Sequence, residues 1–96
     1  MELVNNNKTV KQKTNCKIKL VPIQELETDV TNISVSCGCM TYQNNTVTDV
    51  ISINIKVPSY PKHIPGNEYK SSKSVTITFE DGSKETYKIN YHVTRN

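Results

Sequence analysis

Residues 74–93 read SVTITFEDGSKETYKINYHV and contain two alternating segments on either side of an Asp-Gly pair. The apolar members of these segments are Val75, Ile77, Phe79, Tyr87, Ile89, Tyr91 and Val93. Successive side chains of a strand point to opposite faces, and an Asp-Gly turn matches the twist of two antiparallel strands. The stretch therefore predicts a β-hairpin within an antiparallel sheet.

The composition of the whole chain favours the same fold class. Its 96 residues include no Ala, three Leu, and thirty residues of Val, Ile and Thr. Side chains branched at Cβ pack well on a pleated sheet, whereas Ala and Leu are strong helix formers. A chain of this length forms one domain with one modest core. We therefore predict a single all-β domain without room for a cofactor cavity.

Further alternating segments predict the other strands. They lie at 16–21, 32–38 and 47–57, with weaker ones near Lys8–Gln12 and Met40–Tyr42. Short strands separated by turn residues, with no helical pattern, are typical of a two-sheet sandwich. The sequence predicts an immunoglobulin-like antiparallel β-sandwich of about seven strands.

Three segments are expected to lie mainly outside the strands. Residues 1–15 are polar and rich in Asn, so we expect a loose N-terminal arm preceding a domain at 16–96. Pro58, Pro61 and Pro65 punctuate the connection that precedes Tyr69, where the next element is expected. A turn is predicted at Gln43–Asn45.

The charge pattern limits the choice of partners. The net charge is +3, and eleven of the twelve basic residues are Lys. Arg is preferred for bidentate readout of phosphate and guanine, so this balance argues against nucleic acid. The N-terminal twenty residues hold five Lys, whereas residues 24–50 hold acidic residues and no base. A Lys-rich arm is typical of a solubilising or docking segment.

Export and membrane insertion are not predicted. The first ten residues lack the apolar core of an export signal, and no run of the chain reaches the length of a membrane span. We therefore expect no membrane partner.

Three cysteines carry the only distinctive reactive side chains. Cys37 and Cys39 would point to one face of a strand, where two thiolates can bind a soft metal or exchange with a disulfide. A structural zinc site needs four ligands, and Cys16, His63 and His92 show no recognisable spacing for completing one. The favoured interpretation is two small apolar side chains around a tight bend. A link from Cys16 to Cys37 or Cys39 stays open for an oxidising compartment.

No arrangement of residues predicts catalysis. His63 and His92 are expected to be exposed, and Glu80 and Asp81 are turn residues. The three glycines are too far apart to form a phosphate-binding loop. We therefore predict no enzyme activity, catalytic residue, metal, cofactor or small-molecule substrate.

The segment Ser36-Cys37-Gly38-Cys39-Met40 resembles the Ser-Cys-Gly-Cys signature of a bacterial Ig-like domain family of unknown function, related to the ASH/MSP-type sandwich domains. In that family the signature follows a strand of the Ile33-Ser34-Val35 kind. A long strand (here 50–57), a loop with Gly66 and two closing strands come after it. The resemblance covers about residues 16–94 and implies an Ig-like fold without established catalytic residues.

A lone Ig-like sandwich with an extended arm also looks like the auxiliary or decoration proteins on tailed bacteriophage heads. That resemblance implies a virion location, a structural role and the major capsid protein as partner, with assembly in the host cytoplasm. The expected interface residues are Lys8, Lys11, Lys13, Tyr60, Pro61, His63 and Tyr69. The alternative is a soluble or cell-envelope Ig-like recognition module that binds a peptide or carbohydrate.

Overall fold

Two four-stranded β-sheets make up the computed structural model, which describes residues 1–26 and 28–95. The strands in chain order are β1 (Glu2–Val4), β2 (Lys8–Lys11), β3 (Asn15–Val21), β4 (Val30–Val35), β5 (Met40–Asn45), β6 (Val50–Lys56), β7 (Glu68–Phe79) and β8 (Lys84–Thr94). The described residues form no helix, and hence none that could cross a membrane. The all-β prediction is confirmed.

The order of the strands is that of an immunoglobulin sandwich. The first sheet runs β1-β3-β6-β5 and the second β2-β8-β7-β4. The first matches the immunoglobulin order A-B-E-D, and β8-β7-β4 matches G-F-C. β2 adds a fourth strand that runs parallel to β8, whereas the remaining pairs of described strands are antiparallel. The predicted sandwich is therefore confirmed, with eight strands rather than about seven.

The predicted hairpin is formed by β7 and β8. Their pairing ends at Thr78 and Lys84, and Gly82 adopts a φ of +88° in the turn. The Asp81 carboxylate accepts hydrogen bonds from the N–H and the hydroxyl of Ser83, at 2.9 and 2.6 Å. A glycine at a positive φ is what the turn requires, since other residues are strained there. β7 begins earlier than the hairpin alone predicts, at Glu68.

The turn between β5 and β6 lies later in the chain than expected. The turn predicted at 43–45 falls inside β5, and β6 begins at Val50 rather than at residue 47. The Asn45 side-chain oxygen accepts N–H hydrogen bonds from Val47 and Thr48, at 3.0 and 3.3 Å. This side chain satisfies the backbone of the turn, which therefore forms after Asn45 and not before it.

Residues 1–15 do not form a loose arm, and the weaker strand expected near Lys8–Gln12 is confirmed as β2. β1 pairs with β3 in one sheet, and β2 pairs with β8 in the other. Val10 is 9% exposed and belongs to the core, and Leu3 packs against it. The edges of both sheets offer free backbone groups to this segment, so pairing compensates for its low apolar content.

The core lies between the inner faces of the two sheets. Every buried residue among those described is hydrophobic, and none is charged. The largest fully buried side chains are Ile18, Leu20, Ile51, Ile53, Ile55, Ile77 and Ile89. Functional groups therefore lie on the outer surface and at the two ends of the sandwich.

Candidate functional site

The charged side chains are segregated along the length of the molecule. Its longest dimension is 46 Å, and residues 22–26, 28–29, 46–49 and 80–83 lie at one end of the strands. There the Glu80 N–H donates to the Asp29 carbonyl at 2.8 Å. This acidic end carries seven described carboxylates and one lysine: Glu2, Glu25, Asp29, Asp49, Glu80, Asp81, Glu85 and Lys84.

The opposite end is basic. It is formed by the loops 12–14, 36–39 and 57–67 and by Arg95. It carries seven described cationic side chains and one carboxylate: Lys11, Lys13, Lys56, Lys62, Lys70, Lys73, Arg95 and Glu68. Glu68 is engaged by His92, with 2.7 Å between Oε1 and Nδ1. The protein is therefore a rod with charges of opposite sign at its two ends.

Gln12 joins three of the segments that form the basic end. Its side-chain oxygen accepts the Tyr60 N–H at 2.6 Å, and its side-chain nitrogen donates to the Arg95 carbonyl at 2.7 Å. Next to it, the Lys13 N–H donates to the Pro58 carbonyl at 3.2 Å. The N-terminal segment, loop 58–66 (the proline loop) and the C-terminal segment are thus fixed relative to one another.

The guanidinium group of Arg95 contacts the proline loop in several ways. Its guanidinium carbon lies 4.1 Å from the centre of the Tyr60 ring. The same group donates to the carbonyls of Gly66 and Ile64, at 2.7 and 2.9 Å. The Tyr69 ring meets the Tyr60 ring edge-on, with centroids 5.0 Å apart. Stacking of a cation on a ring contributes about 0.5–2 kcal/mol, so these contacts hold loop 58–66 against Arg95 and Tyr69.

Part of the predicted interface lies together at the basic end. Lys11, Lys13 and His63 are exposed there, and Pro61 is half-buried. Lys8 does not join them, because it pairs with Tyr91, whereas Lys11 pairs with Thr94 at the end of β8.

The two tyrosines of the predicted interface require a correction. Tyr60 is only 5% exposed, since its ring packs between Arg95 and Tyr69, and it belongs to the core rather than to a contact surface. Tyr69 is half-buried and lines a cavity, and burial raises the pKa of its hydroxyl. Sequence alone did not separate a buried tyrosine from an exposed one in a proline-rich loop.

That cavity is closed on one side by a disulfide between Cys37 and Cys39. The two Cα atoms are 5.2 Å apart, and the Cys39 N–H donates to the Cys37 sulfur at 3.1 Å. The cavity is open to solvent, has a volume of about 350 Å³, and is lined also by Lys56, Pro58, Tyr69, Ser71, Lys73 and Tyr91. The strand expected at 32–38 ends at Val35, so the two cysteines lie in the bend before β5 and not on one face of a strand. The bend itself was expected, but the favoured interpretation of two unbridged apolar side chains is wrong.

Cys16 takes no part in a bridge. It is buried in the core as a free thiol, so the alternative of a link from Cys16 to Cys37 or Cys39 is wrong. Burial raises the pKa of the Cys16 thiol, and nearby Lys8 opposes part of that effect. A buried neutral thiol behaves as a small hydrophobic side chain.

A second feature that the sequence did not predict is the free edge of β7. Among the described residues, β4 pairs with β7 only over Val75–Phe79, and the Ser36 N–H reaches the Ser74 carbonyl at 3.0 Å. Residues 68–73 of β7 therefore pair with β8 alone. Backbone groups on such an edge are available to an added strand.

The described residues contain no group of three or more His, Cys, Asp or Glu side chains arranged to hold a metal ion. Elsewhere on the surface, Tyr87 donates a hydrogen bond to Glu85, and burial together with that carboxylate raises the pKa of its hydroxyl. Among the described residues, neither the metal-ligating residue types nor the Tyr87–Glu85 pair forms a larger cluster, whereas the basic end groups several cationic side chains.

Comparison with known proteins finds no family model, curated protein or solved structure that matches this chain. The fold and the surface define it as an immunoglobulin-like β-sandwich with oppositely charged ends.

Proposed function

We propose that the protein is a non-catalytic docking protein that attaches by its basic end to an acidic surface of a larger protein assembly. The observation that carries this proposal is the gathering of seven cationic side chains at one end of a molecule 46 Å long, opposite the acidic end. Complementary charge steers encounter and orients the partners, and a rod with ends of opposite sign docks in one direction.

The specific setting that we propose is the outer surface of a tailed-bacteriophage capsid, with the major capsid protein as partner. The resemblance to Ig-like head decoration proteins supports this setting. The directional charge fits it as well, since a decoration protein must attach by one end and leave the other in solvent. The acidic end would then face outward.

Charge reversal on the basic end tests the proposal. We expect the triple variant Lys11→Glu, Lys13→Glu, Lys62→Glu to lose at least about tenfold in binding to capsids of the phage that carries the gene, since like charges then face each other. The matched control is Lys17→Glu, Lys19→Glu, Lys88→Glu, which changes the same total charge at the middle of the rod. Equal binding by the two variants would refute docking by the basic end.

Deletion of residues 1–15 is not a suitable test. It removes β1 and β2, and with them Val10 from the core, so a loss of binding would report unfolding. The three lysines of the charge-reversal variant are exposed, and their substitution leaves the core unchanged.

A peptide-recognition module is the second candidate. The free edge of β7 at residues 68–73 favours it, since an extended peptide can add there as a further strand. Mass spectrometry of purified phage particles separates the two functions. The docking function requires the protein in the particle, whereas its absence there would favour the peptide-binding function.

A further inference from the structure

The Cys37–Cys39 disulfide is poorly placed to stabilise the sandwich. It joins residues two apart in the chain and connects no strand of one sheet to the other. The stabilisation that a disulfide gives by restricting the unfolded chain grows with the length of the loop it closes. A loop this short gives little, so stability does not account for the bridge.

The bend that carries the two cysteines is held by hydrogen bonds that do not involve the bridge. The Met40 N–H donates to the Cys37 carbonyl at 3.1 Å, and the Lys56 N–H donates to the Cys39 carbonyl at 2.8 Å. On the other side, the Ser36 hydroxyl accepts the Ser74 N–H at 2.9 Å. The two sulfur atoms therefore stay adjacent when the bridge opens.

The surroundings of the sulfur atoms favour a thiolate. The Cys39 N–H already points at the Cys37 sulfur, at 3.1 Å. Lys56 and Lys73 line the same open cavity. A backbone donor and neighbouring cations both stabilise negative charge on sulfur, which makes Cys37 the better leaving group of the pair.

From this geometry we propose that Cys37 and Cys39 form a reversible thiol–disulfide exchange site whose substrates are cysteine thiols of a partner protein. The thiolate of the partner attacks the Cys39 sulfur, a mixed disulfide forms, and the bond between Cys37 and Cys39 breaks with its electron pair on Cys37. A second partner thiolate then attacks the partner sulfur of the mixed disulfide and releases Cys39 as a thiolate. Two partner thiols become one disulfide, and their two protons and two electrons convert the bridge into two thiols.

Alkylation followed by mass spectrometry of the whole folded protein tests the bridge. Without reductant we expect Cys37 and Cys39 to resist alkylation, and after treatment with glutathione we expect both to be modified while the fold persists. Three outcomes would overturn the proposal: alkylation of both residues without reductant, resistance of the folded protein to glutathione, or unfolding when the bridge is reduced. The last two would mark the bridge as buried or structural.

Two sets of variants test the roles of individual residues. Lys73→Gln and Lys56→Gln should each slow reduction by glutathione about threefold or more, since the leaving thiolate loses a cation. Lys88→Gln on the outer face is the control and should leave the rate unchanged.

Cys37→Ser should trap a stable mixed disulfide on Cys39 when treated with oxidised glutathione, whereas the reduced wild type should release glutathione and close its bridge. Rates equal in the wild type and both cavity-lysine variants, or a mixed disulfide that persists in the wild type, would contradict the assigned roles. None of these measurements depends on binding to a capsid.

Discussion

The guanidinium of Arg95 lies over the ring of Tyr60, with 4.1 Å from its central carbon to the ring centre. It also donates to two carbonyls of the proline loop, those of Ile64 and Gly66. One side chain near the end of the chain therefore fixes the loop that forms much of the basic end.

Replacement of Arg95 should loosen that loop. We expect Arg95→Ala to lower the free energy of unfolding by about 2 kcal/mol, since it removes a cation–ring contact and two charge-assisted hydrogen bonds. Arg95→Lys should recover only part, because an ammonium does not reproduce the planar geometry. Urea denaturation measures the change. Lys88→Ala, at an exposed site, is the control. An equal loss of unfolding free energy in Arg95→Ala and Lys88→Ala would contradict a stabilising role of the Arg95 contacts.

The N-terminal segment should contribute measurably to stability. Val10→Ala leaves a cavity in the core and should cost about 2 kcal/mol, whereas its exposed neighbour Thr9→Ala should cost less than about 0.5 kcal/mol. Thermal or urea unfolding of the two variants gives the comparison. If Val10→Ala unfolds like the wild type, β2 does not pack as described.

Two glycines should respond differently to alanine. Gly82 has a φ of +88° in the β7–β8 turn, so Gly82→Ala should cost about 1–2 kcal/mol of unfolding free energy. Gly38 has open space around it and no positive φ, so Gly38→Ala should change stability by less than about 0.5 kcal/mol. Equal costs at the two positions would contradict the turn geometry.

The hairpin turn should show a defined dependence on pH. Hydrogen bonds from the Ser83 hydroxyl and N–H hold the pKa of Asp81 below its ordinary value. Because this folded-state pKa is depressed, the carboxylate's contribution is complete above the unfolded pKa and is lost as the pH falls through the folded one. NMR titration of the Asp81 carboxyl carbon should give a midpoint below that of Asp in an unfolded peptide, and Ser83→Ala should raise it. If the Asp81 midpoint does not move in Ser83→Ala, the Ser83 hydroxyl is not the cause of the lowered pKa.

Features set by neighbouring residues could be predicted from the sequence. The β7–β8 hairpin follows from alternation around Asp81-Gly82, and β3 follows from alternation over 16–21. β1 could not be predicted in this way. It has three residues, and its pairing with β3 depends on a free sheet edge that forms only when the distant strands assemble. Low apolar content of a segment therefore does not exclude it from a sheet.

The candidate site could be predicted only in part, for the same reason. Lys11 and Lys13 were expected to contact a partner because of their charge, and the uneven charge of the chain was visible. That Glu80 joins Asp29 at one end, and that Gln12 joins Tyr60 and Arg95 at the other, depends on topology. No local pattern marks Gln12, whose side chain bridges residues 48 and 83 positions away.

Lysine acetylation of the free and the capsid-bound protein, read by mass spectrometry, tests the docking proposal most directly. Docking by the basic end predicts that Lys11, Lys13 and Lys62 react several-fold more slowly in the bound protein, while Lys84 at the acidic end reacts at an unchanged rate. Equal protection at both ends, or protection of Lys84 alone, would contradict it.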